Sequence, residues 1–172
     1  MMTSIEIRLL TARDAEAYWR VRLEALEREP ESFGEDAEEH RETSVESAAE
    51  RLGANPDDSF VFGAFQEGRL VGMAGFYRYQ GVKARHKGRI WGVYVRAVCR
   101  GQGIGRALVV ALLARIKARP GVEQVSLTVV SGQEPARALY RSLGFEPYGM
   151  EPRGLKVGGR YFDIEHMVLR IA

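Results

Sequence analysis

The chain has 172 residues and a mass of 19.3 kDa, with 45% hydrophobic and 28% charged residues. These proportions suit one globular domain that buries roughly two-thirds of its unfolded surface, and they exclude disordered, collagen-like and coiled-coil chains. The formal charge of +2 divides unevenly: residues 1–60 hold 7 Lys/Arg against 16 Asp/Glu and residues 61–172 hold 18 against 7, so the second part is expected to hold an anion and the first to meet a cation. The longest apolar stretch, Ala107 to Ala114 between Arg106 and Arg115, is far short of the roughly 18 residues of a membrane span, and no membrane partner is expected. No basic leader with an apolar core opens the chain at Met1-Met2-Thr3-Ser4, and Cys99 is the single cysteine, a pattern that fits a cytoplasmic protein.

Ile5 to Leu9 alternates apolar and polar residues and reads as a strand. Thr11 and Asp14 have the spacing of a capping box, and Ala15, Trp19, Leu23 and Leu26 share one face of a first helix that Pro30 stops. After an acidic connection, Thr43 and Glu46 repeat that spacing before a second helix with the stripe Val45, Ala48, Ala49 and Leu52. Ser59 to Gln66 and Arg69 to Tyr79 are rich in aromatic and β-branched residues, and Glu67-Gly68 between them predicts a hairpin turn. Residues 80–88 are polar and basic, and Arg89 to Val95 reads as another strand.

That strand leads into Arg100-Gly101-Gln102-Gly103-Ile104-Gly105 and then a strong helix over 107–118, ended by Pro120-Gly121. A further strand is predicted over 122–130, a short helix over 134–143 closed by Gly144, a brief strand over 145–149, a glycine-containing loop over 153–159 and a last strand over 161–170. No repeat or linker interrupts this order, so residues 1–172 are expected to form one α/β domain, a central mixed twisted sheet of about seven strands flanked by about four helices.

Three glycines within five residues, between a buried strand and a helix, let several N–H groups converge on one phosphate-sized anion. The helix N-terminus adds about half a positive charge, and Arg100 and Arg106 flank the loop. A nucleoside-triphosphate loop is disfavoured because Gly105 is followed by Arg106-Ala107 rather than Lys-Ser/Thr. A dinucleotide loop is disfavoured by the spacing of the last glycine and by Glu123, which opens the next strand instead of closing it.

Arg100 to Gly105 resembles the acetyl-coenzyme A signature of the GNAT superfamily of N-acetyltransferases, Arg/Gln-x-x-Gly-x-Gly/Ala. A second segment, Ala136-Arg137-Ala138-Leu139-Tyr140-Arg141-Ser142-Leu143-Gly144-Phe145, is similar to that family's Ala-x-x-Leu-Tyr-x-x-x-Gly-Phe. The resemblance covers nearly the whole chain and implies a GNAT-like fold, acetyl-CoA as cosubstrate, no metal, and transfer of an acetyl group to a primary amine of a small molecule or peptide by direct attack on the thioester. It implies cofactor contacts at Val93, Tyr94, Val95, Arg100, Gly101, Gln102, Gly103, Ile104, Gly105, Arg106, Gln133 and Ala136, and it puts Tyr140 in the place of the general acid. Where the family usually has Asn three residues before the Ala, this chain has Gln133, whose amide reaches one methylene farther. An alternative reading, a non-catalytic acyl-CoA-binding or sensor module, rests on Gln133 and on the lack of a carboxylate in strand 89–95.

Acetyl transfer needs a polarised carbonyl, a neutral amine and a proton donor near the departing thiolate. Glu35, His86 and Glu165 are candidate bases. His40 and His166 have no companions at metal-ligand spacing. The segment Pro30-Glu31-Ser32-Phe33-Gly34-Glu35 reads as a loop over the acceptor mouth, with Phe33, Gly34 and Glu35 as substrate contacts, and its acidic surroundings predict a cationic amine. The acidic first part and the missing aromatic-basic ladder argue against nucleic acid, and a monomer or homodimer is expected.

Overall fold

The elements of the computed structural model, which describes residues 3–171, follow from the local patterns of the chain. Met1 and Met2, at the start of the segment read as having no basic leader, lie outside the described residues. Seven strands form one sheet in the order β1-β2-β3-β4-β5-β7-β6: β1 (Ile5–Leu9), β2 (Ser59–Gln66), β3 (Arg69–Arg78), β4 (Lys87–Val95), β5 (Gln124–Val130), β6 (Glu146–Val157) and β7 (Arg160–Arg170). Five helices accompany them, α1 (Ala15–Arg28), α2 (Ala37–Arg41), α3 (Val45–Ala54), α4 (Ile104–Lys117) and α5 (Glu134–Ser142). The short α2 is the one that the sequence periodicity does not reveal. Among the described residues no helix is long and apolar enough to cross a membrane.

Each face of the sheet buries its own cluster. On one face α4 contributes Leu108, Val109, Leu112 and Ile116, all at 0% exposure, against Phe60, Phe76, Ile90 and Val125. On the other, α1 and α3 pack Ala15, Tyr18, Val21, Ala48 and Leu52 against Val61, Met73 and Tyr94. The buried face of α1 is turned relative to expectation: Tyr18, Val21, Arg22 and Ala25 are buried, while Trp19 and Leu23 are half-exposed. The N-cap of α3 is Ser44 rather than Thr43, its side chain accepting from the Ser47 N–H at 3.0 Å. Thr43 is engaged elsewhere, donating to the His40 carbonyl.

The largest departure lies near the C-terminus. Residues 153–159, expected as a loop, belong mostly to β6, which runs to Val157 and turns at Gly158-Gly159 into β7. Pro147, Gly149, Pro152 and Gly154 disguise it. An edge strand tolerates them, since one side needs no ladder partner, and the β6/β7 register shifts at Pro147/Gly149 and Glu151/Leu155 absorb the irregularity.

β4 sets the geometry of the site. It pairs with β3 until a bulge breaks the register between the Gly75–Trp91 and Met73–Tyr94 pairs. Gly92 sits in that bulge at φ 64°, a left-handed conformation that costs other residues roughly 1–2 kcal/mol. On its other side β4 is parallel to β5 only over Lys87–Arg89 and Gln124–Ser126. Beyond Arg89 the two strands part, which leaves the β5-facing backbone of residues 93–95 without a strand partner.

Candidate functional site

The loop after β4 delivers the chain to the N-terminus of α4. Gly101 and Gly103 have φ of 80° and 77°, and a Cβ at Gly103 would meet no atom within 4 Å, so glycine is required there by the backbone turn and not by crowding. The N–H groups of residues 101–106 have no backbone acceptor among the described residues, as expected for a helix start open to an anion. Arg100 donates to the Val95 carbonyl and pairs with Glu29, which ties the loop to the end of α1. Arg106 donates to Ser142 Oγ at 2.8 Å and so links α4 to α5.

A groove of about 480 Å³ runs along this loop and into the gap between β4 and β5. Val93, Tyr94, Val95, Arg100, Gly101, Gly103, Ile104, Gly105, Arg106, Gln133, Ala136 and Tyr140 all line it, so two motifs far apart in sequence converge there. Gln102 does not: its amide turns back to the Cys99 carbonyl and to Gln66. The groove also takes Thr128, Val129 and Val130 from β5, Leu139 from α5, and Glu29 and Ser32 from the segment that follows α1. Of these, Ser32 and Leu139 lie in segments already singled out in the sequence, whereas the three β5 residues and Glu29 carry no sequence signal. Only the splay of β5 from β4 exposes the first three, and that is a property of strand pairing. Gln133 stands at the N-cap of α5 with no side-chain cap bond, which leaves its amide free toward the groove.

Tyr140 is 7% exposed and packs edge-on against Phe145, ring centroids 5.9 Å apart. Burial pushes its hydroxyl well above the ordinary tyrosine pKa, with no neighbouring charge to offset it, so the phenol stays protonated throughout the neutral range. Tyr140, Val93, Thr128 and Ser32 also line a second, smaller cavity of about 140 Å³, and they are the residues that the two spaces share. α5 is held in place by Arg137, whose guanidinium makes two bonds to Glu165 of β7, at 3.1 and 3.0 Å.

This pairing removes Glu165 from the candidate bases. His86 lines none of these cavities. Phe33 and Gly34 do line the smaller cavity, whereas Glu35 lines an adjoining one of about 460 Å³, and its carboxylate pairs with Arg22 at 3.0 Å and lies 3.6 Å from His40 Nδ1. Within the acidic run, the acids at 35–39 are engaged by neighbouring groups rather than left as free charge. Asp36 caps α2, Glu39 completes its capping box and Glu38 pairs with Arg41. Tyr94, whose ring belongs to the core, has its hydroxyl buried without a partner, and burial raises its pKa. Cys99 is buried. Among the described residues no three metal-ligating side chains converge.

A mixed sheet opened between two parallel strands, with a glycine loop feeding a helix N-terminus into the gap, is the architecture of an acyl-coenzyme A-dependent transferase. The chain belongs to the acetyltransferase (GNAT) family, whose model matches residues 19–145. It is 36% identical over 138 residues to a mycothiol acetyltransferase of Saccharomonospora viridis, covering 78% of this chain and 43% of that protein. With N-alpha-acetyltransferase RimI of Mycobacterium tuberculosis it shares 39% over 106 residues, covering 62% and 63%. The chain thus spans less than two-thirds of the length of either relative. Its fold matches yncA of Salmonella typhimurium, solved with acetyl-CoA, at a TM-score of 0.86 and 21% identity over 99% of this chain and 95% of that one.

Proposed function

We propose that residues 1–172 work as one N-acetyltransferase domain that moves the acetyl group of acetyl-CoA to a primary amine. The observation that carries this reading is the position of Tyr140, a buried, protonated phenol in the wall shared by the loop-lined groove and the smaller cavity. Family membership and the acetyl-CoA complex of a neighbour with the same fold support it.

In this reading the unpartnered N–H groups of residues 101–106 bind the pyrophosphate, assisted by the helix dipole and by Arg106. The groove walls from Val129, Val130 and Leu139 enclose the apolar arm, and the Gln133 amide hydrogen-bonds its polar groups. The unpaired β4 backbone near Val93 donates to the thioester carbonyl, which polarises it for attack. The amine nitrogen forms the new C–N bond as the C–S bond breaks, and the amine proton leaves to water. A coenzyme thiol has a pKa near 8.5, below that of any tyrosine. Tyr140 therefore acts mainly by donating a hydrogen bond to sulfur as negative charge collects there, rather than by giving up its proton early.

The decisive experiment is thiol release from acetyl-CoA with a panel of polyamines, amino acids, aminoglycosides and basic peptides. Turnover with an amine and a mass gain of one acetyl group on it is the expected result. Coenzyme binding without turnover against any amine would instead identify an acyl-CoA-binding module.

A further inference from the structure

The smaller cavity is lined by cationic side chains that acetyl transfer as such does not use. Its walls include two guanidinium groups, Arg22 and Arg89, and no carboxylate. Arg22 lies on the buried face of α1 with its side chain 8% exposed, flanked by the rings of Phe33 and Trp91 at 5.1 and 5.5 Å. Nε and Nη2 reach Glu35. Nη1 is buried with no partner, close beside Gly92 of the β4 bulge. Arg89 donates through Nη2 to Thr128 Oγ1 at 3.0 Å and forms no ion pair among the described residues. Arg51, on the adjoining cavity that Arg22 also lines, is likewise without an ion pair.

A buried guanidinium that uses only part of its fork, on the same cavity as a second one with no counter-ion, is complementary to a planar anion. We propose that this cavity holds a carboxylate carried by the acceptor itself, so that the acceptor is a small α-amino acid-like molecule whose amine is presented across the Tyr140 wall. The inference rests on the acetyl-transfer reading and specifies its substrate class. It reverses the cation expected from the acidic first part of the sequence, because Glu35, Asp36, Glu38 and Glu39 are engaged by Arg22, Arg41 and the cap of α2, while the space itself is lined by arginine. Arg22 and Arg89 are on different elements, α1 and β4, so the carboxylate would be fixed from two directions, and the reach from there to the wall shared with the groove is that of a compact molecule.

Arg89 is half-buried and bears no structural ion pair, so Arg89→Gln is the informative variant, whereas Arg22→Gln would also strand Glu35. Binding of the proteinogenic amino acids, their α-carboxamides and their decarboxylated amines to the chain saturated with coenzyme A is measured by calorimetry. At least one amino acid should bind tenfold or more tightly than its carboxamide and its amine, as a charge-assisted pair requires, and Arg89→Gln should reduce that preference to within about threefold while coenzyme A affinity stays unchanged. Equal binding of carboxylate and carboxamide, no binding of any amino acid, or a preference that survives Arg89→Gln overturns the proposal. The thiol-release assay is read separately. Acetylation of amines without a carboxylate preference sinks only the anion site, and a carboxylate preference without thiol release sinks only the transfer reaction.

Discussion

Arg137 of α5 and Glu165 of β7 form a two-point ion pair that fixes the helix carrying Tyr140 and Gln133 onto the sheet. Glu165 is 5% exposed, and a carboxylate at such a position is costly without its partner. Replacing Arg137 by Ala should lower the melting temperature and let α5 shift. Since a displacement of about 1 Å from productive geometry can cost up to about 10²-fold in rate, kcat should fall even though Arg137 lines neither the groove nor the two cavities beside it. Lys at this position restores the charge but not the fork, and is expected to recover only part of both losses. An Arg137→Ala variant with unchanged kcat and melting temperature would remove the positioning role.

Gly103 should be intolerant for a backbone reason. At φ 77° any larger residue pays about 1–2 kcal/mol of strain or turns the loop out of shape, and its Cβ would project into open space next to the N–H groups meant for phosphate. Gly103→Val is expected to abolish acetyl-CoA binding in calorimetry while the chain remains folded by circular dichroism. Gly105 differs: a Cβ there meets Leu139 and Val95 at 3.7 and 3.8 Å, ordinary contact. Gly105→Ala should therefore weaken binding much less, and equal losses at both positions would contradict this account.

The glycine loop and the helix over 134–143 could be read from the chain because both depend on local chemistry, backbone freedom at a turn and a helix that begins and ends on recognisable residues, whereas the place of Tyr140 in the site came from the resemblance of its segment to the family motif. The remaining features depend on partners. A lone Gly92 in an apolar strand does not announce a bulge, and the parting of β4 from β5 belongs to neither strand alone. Arg22 escaped notice because a charge within a helical stripe is counted as solvent-facing, whereas here Glu35 and two aromatic rings let it be buried. The acids at 35–39 were visible as charge, but not the Arg22, Arg41 and capping N–H groups that occupy them. β6 was hidden by its prolines and glycines, which only the edge position permits.

Tyr140→Phe should leave acetyl-CoA affinity nearly unchanged and lower kcat by about 10²-fold, the contribution of one positioned proton or hydrogen-bond donor. The same burial that keeps the phenol protonated links it to stability. Its folded pKa lies above the unfolded value near 10, so its contribution is fully present below pH 10 and is lost as pH rises beyond, when only the unfolded chain ionises freely. The melting temperature of the Phe variant should therefore fall less steeply than that of the natural chain above pH 10. Parallel curves would mean that Tyr140 ionises equally well in both states.

The last prediction concerns the proton of the acceptor. The smaller cavity has no carboxylate among its lining residues, Glu35 of the adjoining cavity is paired with Arg22, and Glu29 of the coenzyme groove is paired with Arg100. With no built-in base, the amine must arrive neutral. An α-amine with pKa near 8 is neutral often enough at pH 7.4 that the cost is about 1 kcal/mol, whereas a lysine-type amine with pKa near 10.4 is only about 0.1% neutral, a cost of roughly 4 kcal/mol. kcat/KM for an α-amine should rise about tenfold per pH unit below pH 8 and then level off, while for an ε-amine it should keep rising to about pH 10. The pH of the plateau should thus follow the acceptor. If both acceptors level off at one common pH near neutrality, a residue of the chain takes the proton, and Glu29 becomes the first to replace by Gln.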